Sequence, residues 1–597
     1  MDRSAVFHKT SDNFCYALDD DYLIITIRTG YDVTGITLCY GDPFSAGIMG
    51  GNEKWKYDMK PVTYHVPLKD NLLWSVVVAP PFKRCSYFFK ITSDDETLYY
   101  FEDGFHDSPD TITNGRAQYF IFPWMNPIDI NRVPHWVNDT VWYQIFPDRF
   151  CNGDAKLNPP VTKKWKNPDE AVSSSDFYGG DIPGIISRLE YLKELGITGL
   201  YFTPLCKGKS NHKYDTDDYM HIDPHFGTDE QMRELVDKAH SLGMKVMMDG
   251  VFNHCSVFFK PWRDVCKKGP ESKYYNWFMV NKWPFDKFSF KNAKKGNYYS
   301  FAFIDLMPKL NTNNKEVIKY FVHVCTSWIK RFDIDGIRFD VANEVSHEFY
   351  RILRKNLKKI KPDFFMLGEL WHDAMPWLRG DELDSVMNYP LKDSMNEFWL
   401  NPDSTKDTFI YAVNRCYNLY MQQTNSVLFN LLDSHDTIRL ISTLNNPDQF
   451  YQQMAALFTM PGTVCIYYGT EVMLEGMHDP DCRRCMPWEQ IESGIYDGRI
   501  KKMKALIEMR KNSDAAKSNA YAFIDKYSNE RVIYYQKYNM TVEKIYDNIS
   551  SETDKTLNVI LNCSNDTITI DNAGEILFSN LLDGNTLLPD GAVVYYS

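Results

Sequence analysis

Asp335-Gly336-Ile337-Arg338-Phe339-Asp340-Val341-Ala342-Asn343-Glu344 reads as a buried strand that ends in charge. In an extended chain successive side chains point to opposite faces. Ile337, Phe339 and Val341 then share one face, and Arg338 and Asp340 the other. An arginine and an aspartate two residues apart on an apolar strand are costly to bury unless they pair or do chemistry. The stretch alone leaves both readings open, a structural ion pair and a reactive site.

The flanking sequence repeats the same grammar of strand, loop and helix. Val141–Phe146, Thr198–Phe202 and Met244–Asp249 precede the opening stretch as apolar strands, and Phe364–Glu369, Ser385–Asn388, Ser426–Asn430 and Thr463–Tyr468 follow it. Between them Ile185, Ile186, Leu189, Leu192 and Leu195 recur at helical spacing and stop at Gly196. Thr228 with Gln231 forms a capping box, and Asn313 with Glu316 is expected to cap the helix before the opening stretch. Eight alternating units over about 370 residues point to a parallel (β/α)8 barrel, a TIM barrel, rather than an open sheet. It is expected over residues 131–512, with an inserted, aromatic, loop-rich subdomain at about 255–305 after the third strand. Strand-rich segments flank it and predict β-sandwiches over residues 1–125 and 513–597.

Composition narrows the function. The 597 residues are 44% hydrophobic and 24% charged, which is globular rather than disordered. A net charge of -13 argues against nucleic acid or an anionic membrane as partner. Aromatics reach 15%, which fits a large core or a surface that stacks flat ligands such as sugars. Residues 1–20 hold no apolar signal-peptide core, no run suits a membrane helix, and 13 scattered cysteines make no disulfide framework, so a reduced, cytoplasmic protein is expected. Cys482 and Cys485 have metal-like spacing, but no second pair completes a zinc site.

The strands of such a barrel carry their active site at the carboxyl ends. Asp249, Asn253 and His254 stand there after the third strand, Arg338 and Asp340 at the fourth, Glu369 at the fifth, and His435 with Asp436 after the seventh. Carboxylates gathered at one mouth repel one another unless they have a task. Glycoside hydrolysis is such a task, since it needs one carboxylate to attack and one carboxylic acid to protonate the leaving oxygen.

Asp249-Gly250-Val251-Phe252-Asn253-His254, Gly336–Glu344, Gly368-Glu369-Leu370-Trp371 and Leu431-Leu432-Asp433-Ser434-His435-Asp436, in that order, resemble the motifs of the α-amylase family, glycoside hydrolase family 13. Met307-Pro308-Lys309-Leu310-Asn311 resembles the marker of its neopullulanase, cyclomaltodextrinase and maltogenic amylase group. The resemblance spans essentially the whole chain. It implies Asp340 as nucleophile, Glu369 as general acid/base and Asp436 as the third, transition-state-stabilising carboxylate. Arg338 would keep Asp340 ionised, His254 and His435 would bind sugar hydroxyls beside Asp249, and Tyr214 would stack on the sugar. Trp371 would line the leaving-group side, and Arg483, with Arg484 as competitor, would bind Asp436.

The group often holds a structural calcium, here implied at Asn152, Asp154, Asn158, Gly179 and Asp181; an Asn-Gly turn is the alternative reading. Val341-Ala342-Asn343-Glu344 departs from the Lys-His pair of ordinary α-amylases, so their calcium site under the inserted subdomain is not implied. No organic cofactor is implied. The expected activity is retaining hydrolysis of α-1,4-glucosidic bonds in cyclodextrins and short maltooligosaccharides, with pullulan or starch within reach and some transglycosylation. A homodimer through the N-terminal domain is also implied. A 4-α-glucanotransferase or branching-type transferase would carry the same catalytic residues, whereas a non-catalytic glucan-binding homologue would be free to lose one.

Overall fold

The computed structural model describes residues 1–45, 47, 55–109, 118–286, 289–546, 555–571 and 573–597. The barrel strands are β1 (Val141–Ile145), β2 (Gly199–Phe202), β3 (Lys245–Gly250), β4 (Gly336–Phe339), β5 (Phe365–Gly368), β6 (Ser385–Val386), β7 (Phe429–Asn430) and β8 (Thr463–Tyr467). Parallel pairing runs β6-β5-β4-β3-β2-β1-β8-β7, and one parallel bridge, Met387 to Phe429, joins the two ends. Alternation along β4 is as expected at its centre. Ile337 and Phe339 face the surrounding helices and join the large outer core. The interior is closed lower down by Trp142, Tyr201, Met247, Phe365, Leu367 and Phe429. A packed apolar floor under a charged rim leaves the carboxyl ends as the place for chemistry.

Local signals account for most helix ends. Thr228 and Gln231 make the capping box of helix Asp229–Ser241. The cap of helix Lys315–Phe332 is Asn314 rather than Asn313, its Oδ1 accepting from the Glu316 N–H at 2.8 Å. The single helix expected before Gly196 is two, Ile182–Ser187 and Leu189–Leu195, which meet at Arg188. A hairpin of Cys206–Gly208 and Thr216–Ile222 follows β2, and the alternating pattern gave no sign of it.

The N-terminal residues form two antiparallel sheets that share an apolar core of Leu23, Ile25, Leu38, Trp74, Phe89 and Phe120, among others. The strands of the C-terminal residues are antiparallel and linked in one hydrogen-bonded network among the described residues. Its Tyr535, Val559 and Val594 side pack into the barrel core, while Val532, Ile560 and Val593 form a second cluster on the other side. All 13 cysteines are free, and among the described residues no helix is long and apolar enough to cross a membrane.

Asp335, the first residue of the opening stretch, belongs to the amino end of the barrel and is structural. It accepts from His240 Nε2 at 2.7 Å, Lys245 Nζ at 3.1 Å and the Val246 N–H at 3.0 Å, with Lys361 Nζ at 2.8 Å. Burial alone would raise its carboxyl, but His240 and Lys361 hold it well below the usual range. A carboxyl depressed in the folded state stabilises above its unfolded pKa and loses that contribution as pH falls through the folded value. Asp335→Asn is therefore expected to cost roughly 3 kcal/mol at neutral pH. In urea titrations the gap to wild type should begin to narrow below about pH 4, the unfolded carboxyl value, and go on narrowing as pH falls toward the folded one; a pH-independent gap would contradict this assignment.

Candidate active site

Register brings the site together. Asp249 of β3 lies beside Arg338 of β4, and Arg338 beside Leu367 of β5, so side chains from neighbouring strands meet inside the rim. Arg338 is wholly buried. Its Nη1 donates to Asp249 Oδ1 and Oδ2 at 3.1 and 2.9 Å and to Asp340 Oδ1 at 3.0 Å. Its Nη2 lies 3.0 Å from Glu369 Oε2, though off hydrogen-bond alignment. One guanidinium thus touches three carboxylates.

The strand stops at Asp340 because Val341 adopts φ +46°, a left-handed conformation unfavourable for a β-branched residue. That turn aims the Val341 N–H at Glu369 Oε2, 2.9 Å away. Trp371 Nε1 donates to Glu369 Oε1 at 3.2 Å, and its ring stacks on Tyr389 at 3.6 Å. Trp371 remains 49% exposed, so it lines the cleft instead of filling the core.

Asp436 is held from the other side. Gln144 Nε2 donates to His435 Nδ1 at 2.7 Å, which leaves the ring proton on Nε2. Nε2 lies 3.0 Å from Asp436 Oδ2 and 2.6 Å from the Tyr214 hydroxyl. Arg483 Nη2 donates to Asp436 Oδ1 at 3.2 Å, whereas Arg484 pairs with Asp481, so Arg483 is the partner of Asp436.

These contacts separate the carboxyl groups electrostatically. Burial would raise Asp436, but His435 and Arg483 hold it well below the ordinary carboxylate value. Burial pushes the Asp340 carboxyl well up; Arg338 opposes this, while Glu369, Asp249 and Asp436 add to it. Burial likewise raises Asp249. Arg338 thus favours the ionised form of Asp340 against burial and several like charges.

A cavity of about 390 Å³ opens over this group, lined among others by Tyr214, His254, Asp340, Glu369, Trp371, Asp436 and Arg483. Asp249, Arg338 and His435 are buried and are not among the residues that line this cavity. Two buried polar atoms of lining residues lack partners, Asp340 Oδ2 and His254 Nε2. The Tyr214 hydroxyl donates to Asp249 Oδ2 at 2.9 Å, and its ring parallels His435. Sequence reasoning had assigned no role to His212, Phe301, Ile304, Met307, Asn343 or Asp479, which also line the cleft. The hairpin and inserted loop that carry several of them have no fixed spacing from the strand ends.

The five residues expected to hold calcium are brought together, but largely by hydrogen bonds among themselves. Asp181 caps the helix Ile182–Ser187, its oxygens accepting from the N–H groups of Gly153, Asp154 and Gly184 at 3.0, 2.8 and 2.6 Å. Asp154 Oδ1 accepts from the Lys156 N–H at 3.0 Å. Asn152 Nδ2 donates to Asn158 Oδ1 at 3.0 Å and to the Tyr178 carbonyl at 3.3 Å. An added Cβ at Gly179 would meet Asn158 Oδ1 at 2.2 Å, so the glycine is needed for the close approach. In this arrangement the donor set does not fit a hard cation, because Asp181 is spent on backbone N–H groups and the Asn158 Oδ1 and Tyr178 carbonyl oxygens accept from an amide nitrogen. Among the described residues no group of three or more His, Cys, Asp or Glu could hold a metal.

An eight-stranded parallel barrel whose strand ends present three carboxylates to one cleft defines a glycoside hydrolase of the two-carboxylate kind. The family described as alpha amylase, catalytic domain, matches residues 144–532, and alpha amylase, N-terminal ig-like domain, matches residues 1–126. The chain is 40% identical over 596 residues to a cyclomaltodextrinase of Geobacillus thermopakistaniensis (strain MAS1), covering 98% of this chain and 95% of that one. It is 43% identical over 494 residues to a maltogenic alpha-amylase of Bacillus acidopullulyticus, covering 82% and 81%. A solved cyclomaltodextrinase structure aligns at a TM-score of 0.86 and 33% identity over 100% of this chain and 98% of that one. The chain belongs to the α-amylase family, in its cyclomaltodextrinase, maltogenic amylase and neopullulanase group, and is a glycoside hydrolase acting on α-glucans.

Two measurements test the electrostatic account. Arg483→Met should move the acid limb of the pH–rate profile up by roughly 1 unit, because Asp436 loses a positive neighbour; an unmoved limb would mean that Asp436 does not set it. EDTA should leave kcat/KM unchanged, since none of Asn152, Asp154, Asn158, Gly179 and Asp181 lines the catalytic cleft; lost activity would tie that loop to the site.

Proposed function

We propose a retaining hydrolase of α-1,4-glucosidic bonds in cyclodextrins and short maltooligosaccharides, with pullulan and starch as further substrates and transglycosylation as a side reaction. The observation that carries it is the sharing of Arg338 by Asp340 and Glu369, with Asp340 Oδ2 unpartnered at the cleft. Two carboxyl groups on one guanidinium suit the separation of about 5–5.5 Å that a covalent route uses, rather than the wider gap that admits a water.

In this reading Asp340 Oδ2 attacks the anomeric carbon as Glu369 gives its proton to the glycosidic oxygen, and the shortened glucan leaves. Glu369, now a carboxylate, takes a proton from water as that water displaces Asp340 from the anomeric carbon. Asp436, held ionised, binds sugar hydroxyls and favours the positively charged transition state. A sugar hydroxyl in place of water gives transglycosylation. No organic cofactor enters any step.

The cytoplasmic location and the homodimer through the N-terminal domain belong to the same proposal. Phe44, Phe82 and Trp124 of that domain are 51%, 59% and 48% exposed and would supply apolar contact area. Initial rates on β-cyclodextrin, pullulan and soluble starch, with Asp340→Asn as control, test the activity. Cyclodextrin should be cleaved fastest, the variant should lose at least about 10⁴-fold, and NMR should show α-anomeric product first. A β-anomer would sink the retaining route, and starch cleaved fastest would sink the substrate order.

A further inference from the structure

Met307–Asn311 returns from the inserted subdomain to the barrel, and Lys309 is its one cation. The Lys309 ammonium donates to Asn253 Oδ1, to the Glu344 backbone carbonyl at 3.1 Å and to Glu344 Oε2 at 2.9 Å. An ammonium has three N–H donors and accepts nothing, so each donor here has one acceptor. Those acceptors lie on separate elements. Asn253 follows β3, and Glu344 ends the turn that begins after Asp340. Backbone contacts bind the same segment beside them, with His254 bridged to Lys309 and the Leu310 N–H donating to the Asn253 carbonyl at 2.9 Å.

The chemistry of the ammonium sets the orientation of the Asn253 amide. Its oxygen must face Lys309, so its Nδ2 lies on the other side, 3.3 Å from His254 Nδ1. An amide NH₂ only donates, so Nδ1 must accept, and a neutral imidazole then carries its proton on Nε2. The ring is neutral, because burial, and after it the charge on Lys309, pushes its pKa down to about 3. Nε2 is buried with no protein partner, in a residue that lines the cleft. The Tyr214 backbone interacts with the ring and opposes that shift, and Phe301 stacks on the ring at 4.9 Å.

We infer that Lys309 is a positioning residue. Through Asn253 it holds His254 in the tautomer that offers an Nε2–H donor to a sugar oxygen, and through Glu344 it docks the inserted subdomain on the turn behind Asp340. This rests on His254 binding sugar, as the proposed function has it.

A double-mutant cycle tests it on whichever α-glucan is cleaved fastest. Lys309→Met keeps length without charge, and Asn253→Asp keeps an acceptor for Lys309 while removing the donor to His254. Each should lower kcat/KM about tenfold, the scale of one misdirected charge-assisted hydrogen bond, and Lys309→Arg should recover part of the loss. In a His254→Gln background the same substitutions should cost less than about twofold, since the residue they act through is gone. Full tenfold losses in that background would overturn the relay. A crippled His254→Gln beside unaffected Lys309→Met and Asn253→Asp would sink this inference alone. A fully active His254→Gln would remove the sugar-binding reading of His254 and the inference with it. Should Lys309→Met melt below the assay temperature, Asn253→Asp decides between the same outcomes.

Discussion

The site depends on one buried guanidinium. Arg338 sits inside the barrel rim with Asp249, Asp340 and Glu369 around it. Removing such a cation from water costs several kcal/mol, which only close, well-directed carboxylates offset. The same constraint brings the two reacting groups together. Because Arg338 faces into the barrel on a rigid strand, with Asp249 in register beside it, Asp340 and Glu369 have little freedom to drift apart. Three negative charges around one positive charge also couple the titration of these groups to one another.

The residues behind the cleft wall do much of the specifying. Gln144 sets the tautomer of His435, and His435 with Arg483 keeps Asp436 ionised. Asp249 orients Arg338 and the Tyr214 hydroxyl. The unfavourable backbone at Val341 delivers an N–H to Glu369. Such strain costs about 1–3 kcal/mol and persists only where the surroundings over-determine it, as the packed floor and the Arg338 cluster do here.

The elements added to the barrel shape access rather than chemistry. The hairpin after β2 and the inserted subdomain bring His212, Tyr214, Phe301, Ile304 and Met307 to the cleft. The flanking β domains lie against the barrel through contacts such as Gln423 Nε2 to the Ala17 carbonyl at 2.9 Å and Gln452 Nε2 to the Asn562 carbonyl at 2.8 Å. Cys482 and Cys485 are buried free thiols, and Cys482 Sγ donates to the His435 carbonyl at 3.2 Å, so their spacing serves packing beside the site.

The sequence by itself determined the barrel, the flanking β domains and the residues at the strand ends. Those features are local: hydrophobic periodicity, caps such as Thr228 with Gln231, the stop at Gly196, and ionisable residues just past apolar runs. Only the tertiary structure decided which of those residues face the cleft. Asp249, Arg338 and His435 look like Asp340 and Asp436 along the chain, yet strand register and burial leave the first three out of the cleft lining. It also decided that Asp335 belongs to an ion network at the far end of the strand and that Asp181 caps a helix. Burial, register and partner distances arise between segments distant in sequence, and each of those outcomes depends on them.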